Sequence, residues 1–193
     1  IENDIMVMSD EPYEQILYEG EHHSIAAVDG MADRTIILDC FSKSFAMTGW
    51  RLGYGVCHPE LAAAIAKFET NCNSCTTSFV QRAGITALQG PMDETRKMVE
   101  TFRERRDVIV DGLNAIPGIT CLRPKGAFYA FPNITGTGYD CRELAKKCLE
   151  EAGVACLAGT AFGQYGEGYL RFSYANSVEN IQKALERISD MLS

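Results

Sequence analysis

Two short apolar runs, Ile5-Met6-Val7-Met8 and Thr35–Asp39 (TIILD), do most to limit what this chain can become. Each is nearly continuous in hydrophobicity and rich in β-formers, the pattern of strands covered on both faces. Sheets made of such strands sit between helices, and helical patterns do alternate with short strands along this chain. The expected class is therefore α/β.

Leu52–Cys57 (LGYGVC) reads as a third strand, its glycines allowing close backbone approach. Pro59 lies near the first turn of a helix over Leu61–Phe68, and a second helix covers Ser78–Leu88. Gly90-Pro91 is the expected junction between a region of residues 1–92 and a second of residues 93–193. The second opens on a long amphipathic helix, Asp93–Ala115, stopped by Pro117-Gly118. Strands around Ile119–Leu122 and Phe128–Phe131 follow, then a helix over Arg142–Ala152. Strands at Val154–Leu157 and Tyr169–Tyr174 and a closing helix at Val178–Leu192 complete an α+β unit. Neither internal repeats nor low-complexity tracts interrupt the pattern.

The 18 basic against 26 acidic residues give a net charge of −8, which argues against a nucleic-acid or anionic-membrane surface. No apolar run spans a bilayer and no signal peptide is visible. Eight scattered cysteines fit a reduced, cytoplasmic enzyme better than a disulfide framework. Cys72-Asn73-Ser74-Cys75 is a lone CxxC without the second pair a zinc site wants, so no metal is expected. The chain opens on Ile1 and enters a strand at once, which suggests a fragment or processed piece of a longer enzyme.

The chemistry gathers at strand ends. Asp10 lies where the first strand stops, and ligands of open α/β sheets collect at the carboxyl ends of strands. Taken alone, Asp10-Glu11-Pro12 is ordinary turn chemistry. Lys43 follows the second strand, in the company of Phe41, Phe45, Met47 and Trp50, which are unusual for a solvated loop. A Schiff-base lysine needs a desolvated site and nearby positive charge, which Arg51 can supply while gripping a phosphate with its planar fork. An acid, a phenol (Tyr13), a lysine and an arginine together suit a cofactor with a basic ring nitrogen, a hydroxyl, an aldehyde and a phosphate.

In four blocks the chain resembles the class I/II aminotransferases, pyridoxal-phosphate enzymes of the aspartate aminotransferase fold. The blocks are SDEPYE (Ser9–Glu14), FSKSFAMTGWRLGY (Phe41–Tyr54), PKGAFYAFP (Pro124–Pro132) and GTAFGQYGEGYLRFSYANS (Gly159–Ser177). They stand in family order, and from Ser9 to Ser177 they span nearly the whole chain, whose length is about that of the C-terminal half of such an enzyme. The resemblance implies that residues 1–92 are the C-terminal part of a large, mainly parallel cofactor-binding domain and 93–193 a small α+β domain. It implies an amino-group transfer between an α-amino acid and a 2-oxo acid, through pyridoxal 5'-phosphate carried as an aldimine on Lys43 and through pyridoxamine phosphate. Asp10 would then pair with the ring nitrogen, Tyr13 with the ring oxygen and Arg51 with the phosphate, Ser42 adding a lesser contact. Lys43 would shuttle the proton, and Arg171 would take the substrate α-carboxylate as a bidentate pair. The family also implies a homodimer.

Three departures from the family pattern stand out. Cys40 occupies the place, three before Lys43, where many relatives carry a phosphate-binding serine. No Arg or Lys occurs between Lys67 and Arg82, so aspartate specificity finds no support here. The family's glycine-rich phosphate loop, its ring-stacking aromatic and its ring-contacting asparagine have no counterpart in this sequence. Two alternatives stay open: lyase chemistry on the same cofactor, and an incomplete fragment serving only as a structural or binding domain.

Overall fold

The first of two sheets comprises β1 (Val7–Asp10), β2 (Thr35–Cys40) and β3 (Gly53–Val56) in the order β1-β2-β3. The computed structural model describes every residue, Ile1–Ser193, in two compact units, Ile1–Lys97 and Met98–Ser193. In the first unit β1 runs parallel to β2, with Val7 opposite Thr35 and Asp10 opposite Leu38. β3 returns antiparallel, placing Gly53 opposite Cys40 and Tyr54 opposite Asp39. The end of β1, the end of β2 and the start of β3 therefore share one sheet edge.

Between β2 and β3 lies α1 (Phe41–Ser44), a single helical turn. Phe41 N–H donates to Leu52 O at 3.1 Å and Met47 N–H to Phe41 O at 3.0 Å, closing the excursion at its base. Phe41 and Leu52 then bury with Val80 of α3 (Ser78–Gln89), and Phe45, Met47 and Ala87 pack around them. Burial of such side chains contributes about 1.5–3 kcal/mol each, so the turn bearing Lys43 rests directly on the unit's core. α2 (Pro59–Cys72) starts with proline at its first turn, as its sequence predicts, but runs past Phe68 and buries none of its residues.

Two expectations change here. The first strand is Val7–Asp10 rather than Ile5–Met8, because pairing begins only where β2 begins, and Ile5 and Met6 have no strand residue opposite them. Nor is it covered on both faces, since Met8 is 68% exposed. β1 is an edge strand of a three-stranded sheet, and Phe68, Phe79 and Leu88 on the helices are exposed too.

α4 (Asp93–Asn114) is the long helix the pattern predicts, and in the second unit it buries Phe102, Ile109, Val110 and Leu113. That unit's sheet is antiparallel in the order β4-β6-β5, from β4 (Tyr129–Ala130), β5 (Leu157–Ala158) and β6 (Leu170–Ser173). α5 (Cys141–Glu150) is capped by Asp140, whose carboxylate accepts from the Arg142 and Glu143 amides. α6 (Val178–Leu192) is capped by Ser177 and sends Leu185 against Gly112 of α4.

The strand expected at Ile119–Leu122 is only a single bridge, Thr120 to Asn133. The Asn114 side chain captures both backbone groups of Cys121, accepting its N–H at 2.8 Å and donating to its carbonyl at 3.0 Å, so neither joins a ladder. Similarly, Val154 N–H donates to Cys148 O at 2.8 Å, and the strand expected from Val154 begins only at Leu157. No helix of the structure is long and apolar enough to cross a membrane.

Candidate active site

Lys43 is half-buried in α1, one residue before the buried Ser44 and two after Phe41, whose side chain belongs to the unit's core. Ser44 is itself tied down, its carbonyl accepting the Thr95 hydroxyl at 2.8 Å. Cys40, Ser42, Lys43, Arg51, Leu52 and Gly53 line one open cleft of about 420 Å³. Lys43 Nζ stands 6.0 Å from the Tyr13 ring centroid, so the loop after β1 reaches the lysine. Asp10 closes β1 at the same sheet edge, with an exposed side chain.

Arg51 follows a 3-10 turn, Thr48–Trp50, and has left-handed backbone angles (φ 53°, ψ 49°). One guanidinium nitrogen donates to Thr48 O at 2.8 Å, and no carboxylate pairs with the group. Ala46, in the same excursion, is also left-handed (φ 52°). Non-glycine residues held in this region are strained by about 1–2 kcal/mol. Clustered strain of this kind is characteristic of functional loops.

Beside the cleft, Asp39 accepts the Cys40 N–H through Oδ1 and the Tyr54 hydroxyl through Oδ2, both at 2.6 Å. Burial, and then that carboxylate, pushes the Tyr54 phenol far above its ordinary value. In the loop after β1, Glu11 N–H donates to Leu38 O at 2.8 Å. Its carboxylate accepts from Ser9 (2.7 Å) and Ser24 (2.8 Å) and meets His22 Nε2 at 2.8 Å. Burial works against the Glu11 carboxylate, but the bonds from His22, Ser9 and Ser24 outweigh it and lower its pKa. Sequence reading missed both anchors, since an acid's partners 11 to 15 positions away leave no local pattern.

Chemically the set is amine, guanidinium, hydroxyl, phenol and carboxylate at one sheet edge. It fits a group presenting an aldehyde, a phosphate, a ring hydroxyl and a basic ring nitrogen. Cys40 is the weak member: it is the N-cap of α1, with extended backbone (φ −146°, ψ 153°), and its side chain makes no capping bond.

In the second unit Arg171 lies on β6, opposite Leu157 of β5. Its Cζ lies 4.4 Å from the Tyr129 ring centroid and 4.1 Å from that of Phe162. Trp50, read as unusual for a loop, is exposed, whereas Phe41 is buried as its setting demanded.

The sequence model of the family Aminotransferase class I and II matches residues 1–188. The chain is 39% identical over 195 residues to aromatic-amino-acid aminotransferase 2 of Thermococcus litoralis, spanning 100% of this chain and 50% of that protein. It is 41% identical over 197 residues to the aspartate aminotransferase of Pyrococcus abyssi, again 100% of this chain and 50% of the relative. Among solved structures, the aromatic aminotransferase from Pyrococcus horikoshii OT3 superposes with a TM-score of 0.95 at 40% identity, over 99% of this chain and 52% of that one. The chain thus spans about half the length of the curated relatives it matches.

Proposed function

This chain belongs to the class I and II aminotransferase family, and from that premise we propose that it acts in a pyridoxal 5'-phosphate-dependent transfer of an amino group between an α-amino acid and a 2-oxo acid. The observation that carries the reading is the cleft in which Lys43, Ser42 and Arg51 converge, with the Tyr13 ring 6.0 Å from the lysine nitrogen. When bound, the cofactor would supply an electron sink for charge developing at the substrate α-carbon. Arg51 would hold its phosphate, with Ser42 as a lesser contact, Asp10 would pair with its ring nitrogen and Tyr13 would donate to its ring oxygen.

Lys43 would do the proton work, its amine taking the proton from the substrate α-carbon as general base and delivering it as general acid to the cofactor's C4′ carbon. The Phe41–Leu52–Val80 core anchors the α1 backbone from which that amine extends, and proton transfer benefits from such positioning. Arg171 would take the substrate α-carboxylate in a bidentate pair. On this reading residues 1–92 are the C-terminal part of the large domain and 93–193 the small one, in a cytoplasmic homodimer. The eight free cysteines support the reducing compartment.

Borohydride reduction of the cofactor-loaded protein tests the assignment, because it should fix the cofactor covalently to the Lys43 peptide, read by mass. Lys43→Ala should abolish that label and lower turnover by at least about 10³-fold. Turnover undiminished in Lys43→Ala, or a label on another lysine, sinks it. Release of ammonia from amino acid alone, with no transfer to a 2-oxo acid, would replace transfer by elimination.

A further inference from the structure

Arg171 is the one site candidate whose charged group packs against two rings. Tyr129, Arg171 and Leu157 project from one face of the second sheet, because Tyr129 is registered with Ser173, two residues from Arg171 on β6, and Leu157 with Arg171 itself. Phe162 comes from the 3-10 turn Gly159–Phe162 that follows β5. The two ring centroids lie 4.4 and 4.1 Å from the guanidinium carbon. Each ring is braced in turn by an aromatic neighbour, Tyr129 by Phe128 and Phe162 by Phe131. No acidic side chain of the chain pairs with Arg171, and no hydrogen bond within the chain takes its donors.

A guanidinium is flat, with five N–H donors in its plane and π-stacking faces above and below. Two rings packed within 4.4 Å of the guanidinium carbon restrict approach to its faces and favour a ligand that meets the in-plane edge. We propose that Tyr129 and Phe162 are positioning and specificity residues: they fix the plane of Arg171 so that it accepts a flat carboxylate edge-on and disfavours a tetrahedral anion. A carboxylate matches the fork with two coplanar oxygens. A sulfonate that presents two oxygens to the fork must put its third out of the plane, where packed rings leave less room. The inference rests on the reading of Arg171 as the α-carboxylate site and extends it to the anion geometry that site selects.

Two charge-matched monoanions, propionate and ethanesulfonate, provide the test as competitive inhibitors of the holoenzyme against its amino-acid substrate. In the wild type propionate should bind about tenfold more tightly than ethanesulfonate, roughly the effect of one good ionic contact made or missed. Phe162→Ala should shrink that ratio to within about threefold and raise KM with little change in kcat, the sign of lost ground-state positioning. Phe162→Tyr should restore the ratio. Phe162 is 49% exposed, so its truncation removes little core, and Tyr129→Leu serves as an independent second variant. A ratio unchanged in both truncations overturns the inference even if activity falls, because general loosening would weaken both anions alike. Arg171→Lys separates this from the underlying reading: if propionate binds as well to that variant as to the wild type, Arg171 is not the carboxylate site at all.

Discussion

The Tyr54 hydroxyl donates to the Asp39 carboxylate at 2.6 Å across the β2–β3 ladder, two residues before the start of the helix that bears Lys43. The same carboxylate holds the Cys40 amide, so one acid fixes both the neighbouring strand and the exit from β2. Tyr54→Phe keeps the ring, which meets Phe41 edge-on at 5.7 Å, and removes only the hydroxyl. The loss should be about 1 kcal/mol, a charged hydrogen bond discounted for its partial exposure. Burial and Asp39 raise the phenol above its ordinary 10.0, so its stabilisation is complete below pH 10 and fades as pH climbs toward the folded value. Thermal unfolding should therefore show wild-type stability falling more steeply above pH 10 than that of the variant. Parallel curves would remove Tyr54 as the cause.

Glu11 gives the opposite limb. Its folded pKa is lowered from 4.5, because the bonds from His22, Ser9 and Ser24 outweigh the cost of burial. Its contribution is then present above pH 4.5 and is lost as pH falls through the folded value. Glu11→Gln should lose about 1–3 kcal/mol at neutral pH and flatten the acid limb of the stability curve, as read by chemical denaturation between pH 7 and pH 3. An unaltered acid limb would mean other carboxylates set it.

Gly159 and Gly166 meet backbone to backbone, and a Cβ on Gly159 would run into the Gly166 carbonyl. Gly159 N–H also donates to Tyr169 O at 2.8 Å, tying the turn that carries Phe162 to the chain just before β6. Gly159→Ala has no flexible side chain to push aside, so it should destabilise by about 1–3 kcal/mol or more. Because Phe162 moves with the turn, KM for the amino acid should rise in the same variant. A wild-type melting temperature would show that the two backbones can separate freely.

Cys40→Ser is the one substitution expected to improve the site. Cys40 is the N-cap of α1, where serine is strongly preferred, and it lines the cleft beside Lys43 and Arg51. A hydroxyl there both caps the turn and donates a stronger hydrogen bond than a thiol. Fluorescence titration with pyridoxal 5'-phosphate should show about fivefold tighter binding, near 1 kcal/mol. Unchanged or weaker affinity would place residue 40 outside the phosphate contacts.

How much could be read beforehand follows the range of each interaction. The long helices α4 and α6 repeat their apolar residues every three or four positions, and that period is local, so the pattern marks them directly. That Lys43 and Arg51 line one cleft was legible because they flank the facing ends of β2 and β3 in the sheet. Local pattern failed where a side chain from elsewhere intervened. Asn114 takes Cys121 out of a ladder, and nothing around Cys121 announces it. Met8 was read as buried because hydrophobicity reports what a residue prefers, whereas its exposure depends on what packs on an edge strand. The packing of two rings on Arg171 was hidden for a related reason, since Tyr129 and Phe162 come from different elements and only the β4-β6-β5 order brings them to it.

Arg51 occupies backbone angles that a glycine would adopt without strain, φ 53° and ψ 49°. A sequence chosen for thermostability alone would put glycine at that position and gain about 1 kcal/mol. The same change would delete the cation proposed to hold the cofactor's phosphate. Efforts to harden this protein against heat will therefore meet activity at residue 51, where the two demands select different amino acids.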